Sequence, residues 1–311
     1  MKLVLFYLTN SNRHFTFDKY VNFLNQSNSK NIWELIVLTD SNDLDFYKNI
    51  LNNTNINHSE FNFDPNNNYL TKVNFAIKYA KDKNIPYMMK CDNDIFFRGR
   101  TLDYIIENLS LLDDSTNLTI GPVLSSGIPC VEYFCEEFLN DEQCNTLHSI
   151  FLKTDFPNIW GATYTHHNKF TKDATEWSGR DFLNDVKNNT HHYKGIHPIR
   201  INIEAQQYLN SCIVDNKDKF YEDTTMSIIE DNVSPYLCNS VFCIRTDIYE
   251  TIVNDKSLYV DDFDEVPLNK YAWNNSKTHL FVKNGFGIHM CYNTIPNNIA
   301  YEVDFCSKFF N

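Results

Sequence analysis

The first 120 residues alternate between two hydrophobic periods, and no other feature restricts the fold so strongly. Leu3 to Leu8 is an unbroken apolar run, the pattern of a strand buried on both faces. Phe17, Tyr20, Val21 and Leu24 then recur at i, i+3, i+4 and i+7, one apolar stripe of a helix. Leu35 to Leu38 predicts a second strand, and Leu44, Tyr47 and Leu51 a second helix. Ser59 to Phe63 reads as a short third strand that ends before Pro65. Leu70, Val73, Ile77 and Ala80 mark a third helix, with Lys72 and Asn74 on its polar side. Ile85 to Cys91, entered through Pro86, reads as a further buried strand. Leu102, Ile105, Ile106 and Leu109 predict a helix capped by Thr101 after Gly99, and Leu118 to Val123 another strand.

Strands alternating with helices require crossover connections, so the sheet should be largely parallel with helices on both faces. Ligands of such sheets bind beyond the carboxyl ends of the strands. Thr9, Asn10, Asp40, Asp92 and Asp94 all fall at such ends. In an extended chain Asp92 and Asp94 project to one side and Asn93 to the other. Two carboxylates so placed suit one hard cation, Mg²⁺ or Mn²⁺, whose shell is completed by water and substrate phosphates. A calcium loop starting at Asp92 fails, because Phe96, Phe97 and Asp103 stand where a polar ligand, a glycine and a glutamate are needed.

The net charge of −13 and pI of about 5.1 disfavour a protein that works on nucleic acid or an anionic membrane. An anionic small substrate remains compatible where a metal reverses the local field. The nine cysteines form no C-x-x-C pair and no zinc-type spacing, and Cys130 and Cys135, the nearest candidates, read as small buried hydrophobes. Six apolar residues at the start are too few for a signal peptide, and no run approaches a membrane span. Asn-x-Ser/Thr triplets such as Asn117-Leu118-Thr119 are expected by chance in so Asn-rich a chain, and a cytoplasmic protein is the expectation.

Residues 124 to 235 show few clean periods and read as an irregular or mixed insertion. Trp160 and Trp177 could stack on a sugar ring or fill a core. The pairs His166-His167 and His191-His192 lack a third ligand at metal spacing, and His197-Pro198-Ile199-Arg200 is equally open. Order returns with a strand at Ser240 to Arg245 and a helix capped by Asp247. The acidic run Asp261-Asp262-Phe263-Asp264-Glu265 precedes a helix expected to start at Pro267, and a last strand runs from Leu280 to His289.

Taken together, the polar loop after the first strand, the aspartate ending the second, the Asp-x-Asp and the late acidic pair with a following histidine resemble the GT-A glycosyltransferases. The resemblance covers residues 1 to 125 and 240 to 292. It implies an α/β, Rossmann-like GT-A fold whose central sheet is mixed and mostly parallel. Residues 1–123 would form a nucleotide-sugar-binding half and 124–311 an acceptor-binding and catalytic half of one continuous domain. The implied donor is a UDP- or GDP-sugar, and the acceptor a glycan, lipid-linked or protein hydroxyl. Asp94 would hold Mn²⁺ or Mg²⁺ at the donor diphosphate, and Asp92 would touch the ribose or the metal. Asp40 would meet the base, Thr9, Asn10 and Asn93 would line the same pocket, and Lys72 would reach base or phosphate. His289 stands where a third metal ligand is expected. Asp264 or Glu265, reversed relative to the usual Glu-Asp order, would take the acceptor's proton, with inversion at the anomeric carbon if one acts from the face opposite the diphosphate and a retaining course open if neither does. Acids at that position also suit an exposed helix N-terminus.

Rival classes lack their signatures. There is no G-x-x-x-x-G-K-[ST], no H-E-x-x-H, and no glycine in Thr9 to Arg13 for a nucleotidyltransferase loop. Gly285-Phe286-Gly287 is half a dinucleotide fingerprint, with Met290 in place of its third glycine. A glycoside hydrolase or a catalytically silent binding relative stays open.

Overall fold

A computed structural model of the chain describes residues 1–9, 13–40, 44–126, 130–154, 199, 202–229, 237–259, 265–290 and 295–310. The expected alternation is present as β1 (Leu3–Thr9), α1 (His14–Leu24), β2 (Trp33–Thr39), α2 (Leu44–Leu51), β3 (His58–Asn62), α3 (Tyr69–Asp82) and β4 (Tyr87–Asp92). The three-residue strand β5 (Ile95–Phe97), α4 (Gly99–Glu107), a 3-10 turn at Leu109–Asp113 and β6 (Asn117–Leu124) follow. The described parts of the middle region are helical: α5 (Cys130–Phe138), α6 (Asp141–Leu152), α7 (Ile203–Asp215) and α8 (Lys217–Tyr221) precede a short β7 (Ser227–Ile228). The chain then returns through β8 (Val241–Arg245), α9 (Thr246–Asn254), α10 (Glu265–Asn274), β9 (Thr278–His289) and α11 (Asn298–Phe309).

The nine described strands join one sheet in the order β3-β2-β1-β4-β8-β6-β9-β5, with β7 added on β9. β1 to β4, β6 and β9 run one way, and β8, β5 and β7 run the other. The molecule is therefore α/β with a mixed, mostly parallel central sheet, as the resemblance implies. The path β1-β2-β3 steps outward in one direction, whereas β3 to β4 crosses back over β1. With right-handed crossovers this puts α1 and α2 on one face and α3 on the other. α1 accordingly packs on α2 and α4, and α3 on α9.

Burial explains why β1 reads as a solid apolar run: Leu3, Val4, Leu5, Phe6 and Tyr7 are all inaccessible to solvent. β2 adds Trp33, Leu35, Ile36, Val37 and Leu38 to the same core, and Tyr7 of β1 stacks on Tyr20 of α1. α3 is started by Asn68, whose side chain accepts the Thr71 N–H at 3.1 Å, a cap worth about 1 kcal/mol.

Three helix starts differ from expectation. α4 begins at Gly99, capped by Arg98, and Thr101 lies buried in its first turn. A Cβ at Gly99 would stand 2.4 Å from the Ser27 amide nitrogen, so the close approach of α1's end to α4 sets the start. α9 is capped by Arg245, and Asp247 turns back to hold that arginine at 2.7 and 3.0 Å. α10 starts at Glu265, which places Pro267 in the first turn, where its missing N–H breaks no bond. The cysteines at 91, 135, 144, 212, 238, 243 and 306 carry no disulfide, and all but Cys144 are buried. Among the described residues no helix is long and apolar enough to cross a membrane.

Candidate active site

The register of the parallel strands brings separate sequence motifs to one edge. Leu8 pairs with Asp92 and Thr9 with Thr39, so Thr9, Asp40 and Asp92 end their strands side by side. β1 is flanked by β2 on one side and β4 on the other, and the connections leave it in opposite directions. That is the switch point at which a crevice opens in sheets of this kind. β8 runs antiparallel, so its start reaches the same edge, and Asp92 N donates to Ser240 O at 3.1 Å. β9 delivers its last residue there too, with His289 opposite Ile95.

β4 stops at Asp92, and Asn93 and Asp94 form a turn before β5. The simple alternation expected of an extended chain is therefore interrupted between the two acids. Asp92 lies on the same side as Lys90, two residues earlier, and its Oδ2 accepts from Lys90 Nζ at 2.7 Å. The same ammonium donates to the Asn239 carbonyl and sits 5.2 Å from the centre of the Tyr69 ring. Asn93 is buried, its Nδ2 3.5 Å from Thr9 Oγ1, and its carbonyl accepts from Thr16 Oγ1 at 2.9 Å. Thr9 Oγ1 in turn lies 3.2 Å from the Tyr47 hydroxyl.

Asp94 takes a different partner. Its Oδ1 lies 3.8 Å from Nε2 of the buried His289, and that oxygen is buried without a hydrogen-bond partner. His289 is fixed at its backbone on both sides, accepting from Ser126 Oγ and donating to Ser125 Oγ, each at 3.0 Å. Its Nε2 also meets Ser240 Oγ at 3.4 Å. Among the described residues, Asp40 is held by Lys72 at 3.1 Å, Asp92 by Lys90, and Glu302 by Arg13 at 2.8 and 2.9 Å. Burial raises the pKa of Glu302, Arg13 opposes that rise, and the nearby Asp94 charge adds to it.

A divalent cation suits Asp94 and His289. A carboxylate oxygen buried without a donor is costly, and an imidazole nitrogen facing it across 3.8 Å offers a second ligand atom of the right chemistry. Among the described residues no group of three His, Cys, Asp or Glu side chains is gathered for a metal. A shell of two protein ligands completed by phosphate and water is normal for Mg²⁺ and Mn²⁺.

Of the remaining expected residues, Asn10 and Asp264 lie outside the described residues, as do Trp160, Trp177, His166, His167, His191, His192 and His197. Glu265 opens α10. Sequence reasoning did not single out Lys90, Arg13, Glu302 or Ser240. Lys90 carried a signal, since a lysine inside a buried strand demands an anionic partner, and Asp92 two positions on is on its side. Two of the described cavities lie away from these residues. One of about 470 Å³ is lined by Asn28, Arg100, Asp103 and Asp223, and one of about 440 Å³ by Tyr87, Arg245 and Asp247 at the opposite edge of the sheet.

No protein-family model matches this chain, and no curated protein matches it. Among solved structures it overlaps the mannosyltransferase PcManGT from Pyrobaculum calidifontis in complex with GDP-Man and Mn²⁺, at a TM-score of 0.33 and 12% identity. That overlap covers 39% of this chain and 35% of the mannosyltransferase, about a third of its length. It also overlaps S. aureus TarS 1-349, at a TM-score of 0.42 and 11% identity, over 100% of this chain and 71% of that one. Overlaps this shallow assign no reaction, and the case for one rests on Asp94, His289 and their neighbours.

Proposed function

We propose that the protein is a metal-dependent glycosyltransferase that moves a sugar from a UDP- or GDP-sugar to a hydroxyl of a glycan, lipid-linked or protein acceptor. The observation that carries this reading is Asp94: a carboxylate with a buried, unpartnered oxygen facing an imidazole, at the switch point of an α/β sheet. Mn²⁺ or Mg²⁺ held by Asp94 and His289 would supply Lewis-acid stabilisation of the charge that develops on the leaving diphosphate. Asp92, neutralised by Lys90, is assigned to the ribose side of the donor, with Asn93 and Thr9 fixing the turn beneath it. Asn10 is assigned to the same donor role from its position in the sequence after β1.

The Asp40–Lys72 pair favours particular bases. A carboxylate beside an ammonium presents an acceptor next to a donor, which complements a ring N–H next to a ring carbonyl. Uracil and guanine carry that edge, whereas adenine and cytosine do not. The acceptor hydroxyl needs a base, and a positioned carboxylate contributes about 10²–10⁴-fold. Asp264 or Glu265 is assigned that role, which with attack opposite the diphosphate gives inversion. On this reading residues 1–123 would form the nucleotide-sugar-binding half and 124–311 the acceptor-binding and catalytic half, which also lends His289 to the metal.

The test is a screen of UDP- and GDP-sugars for hydrolysis in the presence and absence of Mn²⁺. Mn²⁺-dependent release of UDP or GDP that Asp94→Ala abolishes is the expected result. Release that is independent of metal and unchanged by Asp94→Ala overturns the reading.

A further inference from the structure

The chain entering β8 meets both parts of the site. β8 runs antiparallel to β4 with Val241 opposite Cys91, so the residue before the strand lies beside Asp92. That residue is Ser240, which is buried and whose carbonyl accepts the Asp92 N–H at 3.1 Å. Its hydroxyl oxygen lies 3.1 Å from Cys238 Sγ and 3.4 Å from His289 Nε2. The same Nε2 faces Asp94 Oδ1 at 3.8 Å. Two oxygens thus meet one imidazole nitrogen, each across a gap longer than the roughly 2.8 Å of a well-made O–H hydrogen bond. Ligand atoms of an octahedral Mn²⁺ or Mg²⁺ stand about 3 Å apart when adjacent and about 4 Å when opposite, which brackets both separations. Either partner can donate in the contact between Ser240 and Cys238. With the serine proton on the sulfur, both lone pairs of the hydroxyl are left for a cation.

We infer that Ser240 Oγ is a third protein ligand of the cation assigned to Asp94 and His289. This rests on the metal-dependent reading above. A hydroxyl is a hard oxygen donor of the kind these ions accept. It is also neutral, so it leaves the ion's charge for the donor's phosphates, which a second carboxylate would cancel. Asp92 is paired with Lys90 instead.

The test compares wild type with Asp94→Ala, Ser240→Ala, Cys238→Ala, and Cys238→Ala combined with Ser240→Cys, in which the new thiol has no neighbour to oxidise with. Mn²⁺ binding is followed through the loss of its free-ion EPR signal, with and without UDP or GDP, Cd²⁺ binding by competition, and folding by unfolding temperature. Ser240→Ala should weaken Mn²⁺ binding about tenfold or more, and Cys238→Ala should change it less than about threefold. A hydroxyl that merely orients His289 could do the same, but only a ligand changes which ion is preferred. Thiolate is soft, so relative to Cys238→Ala the combined variant should shift preference from Mn²⁺ toward Cd²⁺ by about 100-fold. Unchanged Mn²⁺ affinity in Ser240→Ala overturns the proposal, and so does a loss with no shift toward Cd²⁺. Both leave the cation at Asp94 standing if Asp94→Ala abolishes Mn²⁺ binding. Wild type that binds no Mn²⁺ with or without nucleotide, or binding that Asp94→Ala leaves intact, overturns the metal-dependent reading and this proposal with it.

Discussion

Lys90 and Asp92, two positions apart on β4, form an ion pair at 2.7 Å in which the lysine side chain is 3% exposed and the aspartate 32%. The buried ammonium therefore depends on this acid more than the acid depends on the ammonium. Asp92→Ala should cost about 1–3 kcal/mol in urea unfolding, below the range for fully buried pairs because the aspartate is partly solvated. Lys90→Met should cost less. The double variant should be more stable than the sum of the single losses predicts, and strict additivity would show that the pair is not coupled.

Asp94 behaves oppositely in the same test. Its buried Oδ1 has no hydrogen-bond partner, so the carboxylate stabilises little by itself. In metal-free buffer Asp94→Ala should unfold within about 1 kcal/mol of wild type, or above it. A larger loss would mean that the side chain serves the fold rather than a ligand.

His279, near the start of β9, supplies a pH signature remote from the edge that carries Asp92 and Asp94. It is fully buried, its Nδ1 2.8 Å from Thr119 Oγ1, and burial lowers its pKa to about 3. In the unfolded chain it titrates near the ordinary value of about 6.5. The unfolded state thus binds the extra proton between those values. The stability tied to neutral His279 is complete above the upper value and is lost as pH falls toward the lower one. Relative to His279→Gln, wild type should lose about 1.4 kcal/mol per pH unit between pH 5.5 and 4. A constant difference across that range would contradict the depressed pKa.

The proton acceptor is tested by Asp264→Asn and Glu265→Gln, compared at saturating donor. The residue that takes the acceptor's proton should lower transfer at least about tenfold while leaving donor affinity unchanged. If neither variant does so, the base is another group.

Much of this arrangement was legible from local pattern, because parallel strands buried on both faces read as apolar runs and their polar ends mark the binding edge. β1, β2, β4, β6 and β9 were readable in that way, β3 only by its alternation ahead of Pro65, and β8 as an apolar run although it runs antiparallel. The strand order was not, since nothing in Val241–Arg245 says that it inserts between β4 and β6. β5 is three residues long and gains its place only by pairing with β9. The helices of the middle region showed no clean apolar period, although Asn140 and Gln143 form a capping box that announces α6. The Arg13–Glu302 pair spans 289 positions and carries no local signal.

The central claim is most directly tested by thermal unfolding with UDP and GDP, each with and without Mn²⁺, on wild type and Asp94→Ala. At a nucleotide concentration about 100-fold above Kd, binding should add about 2.7 kcal/mol to wild type. That gain should require Mn²⁺ and should vanish in Asp94→Ala. Stabilisation of wild type by neither nucleotide, or equal stabilisation of both proteins without the metal, would contradict it.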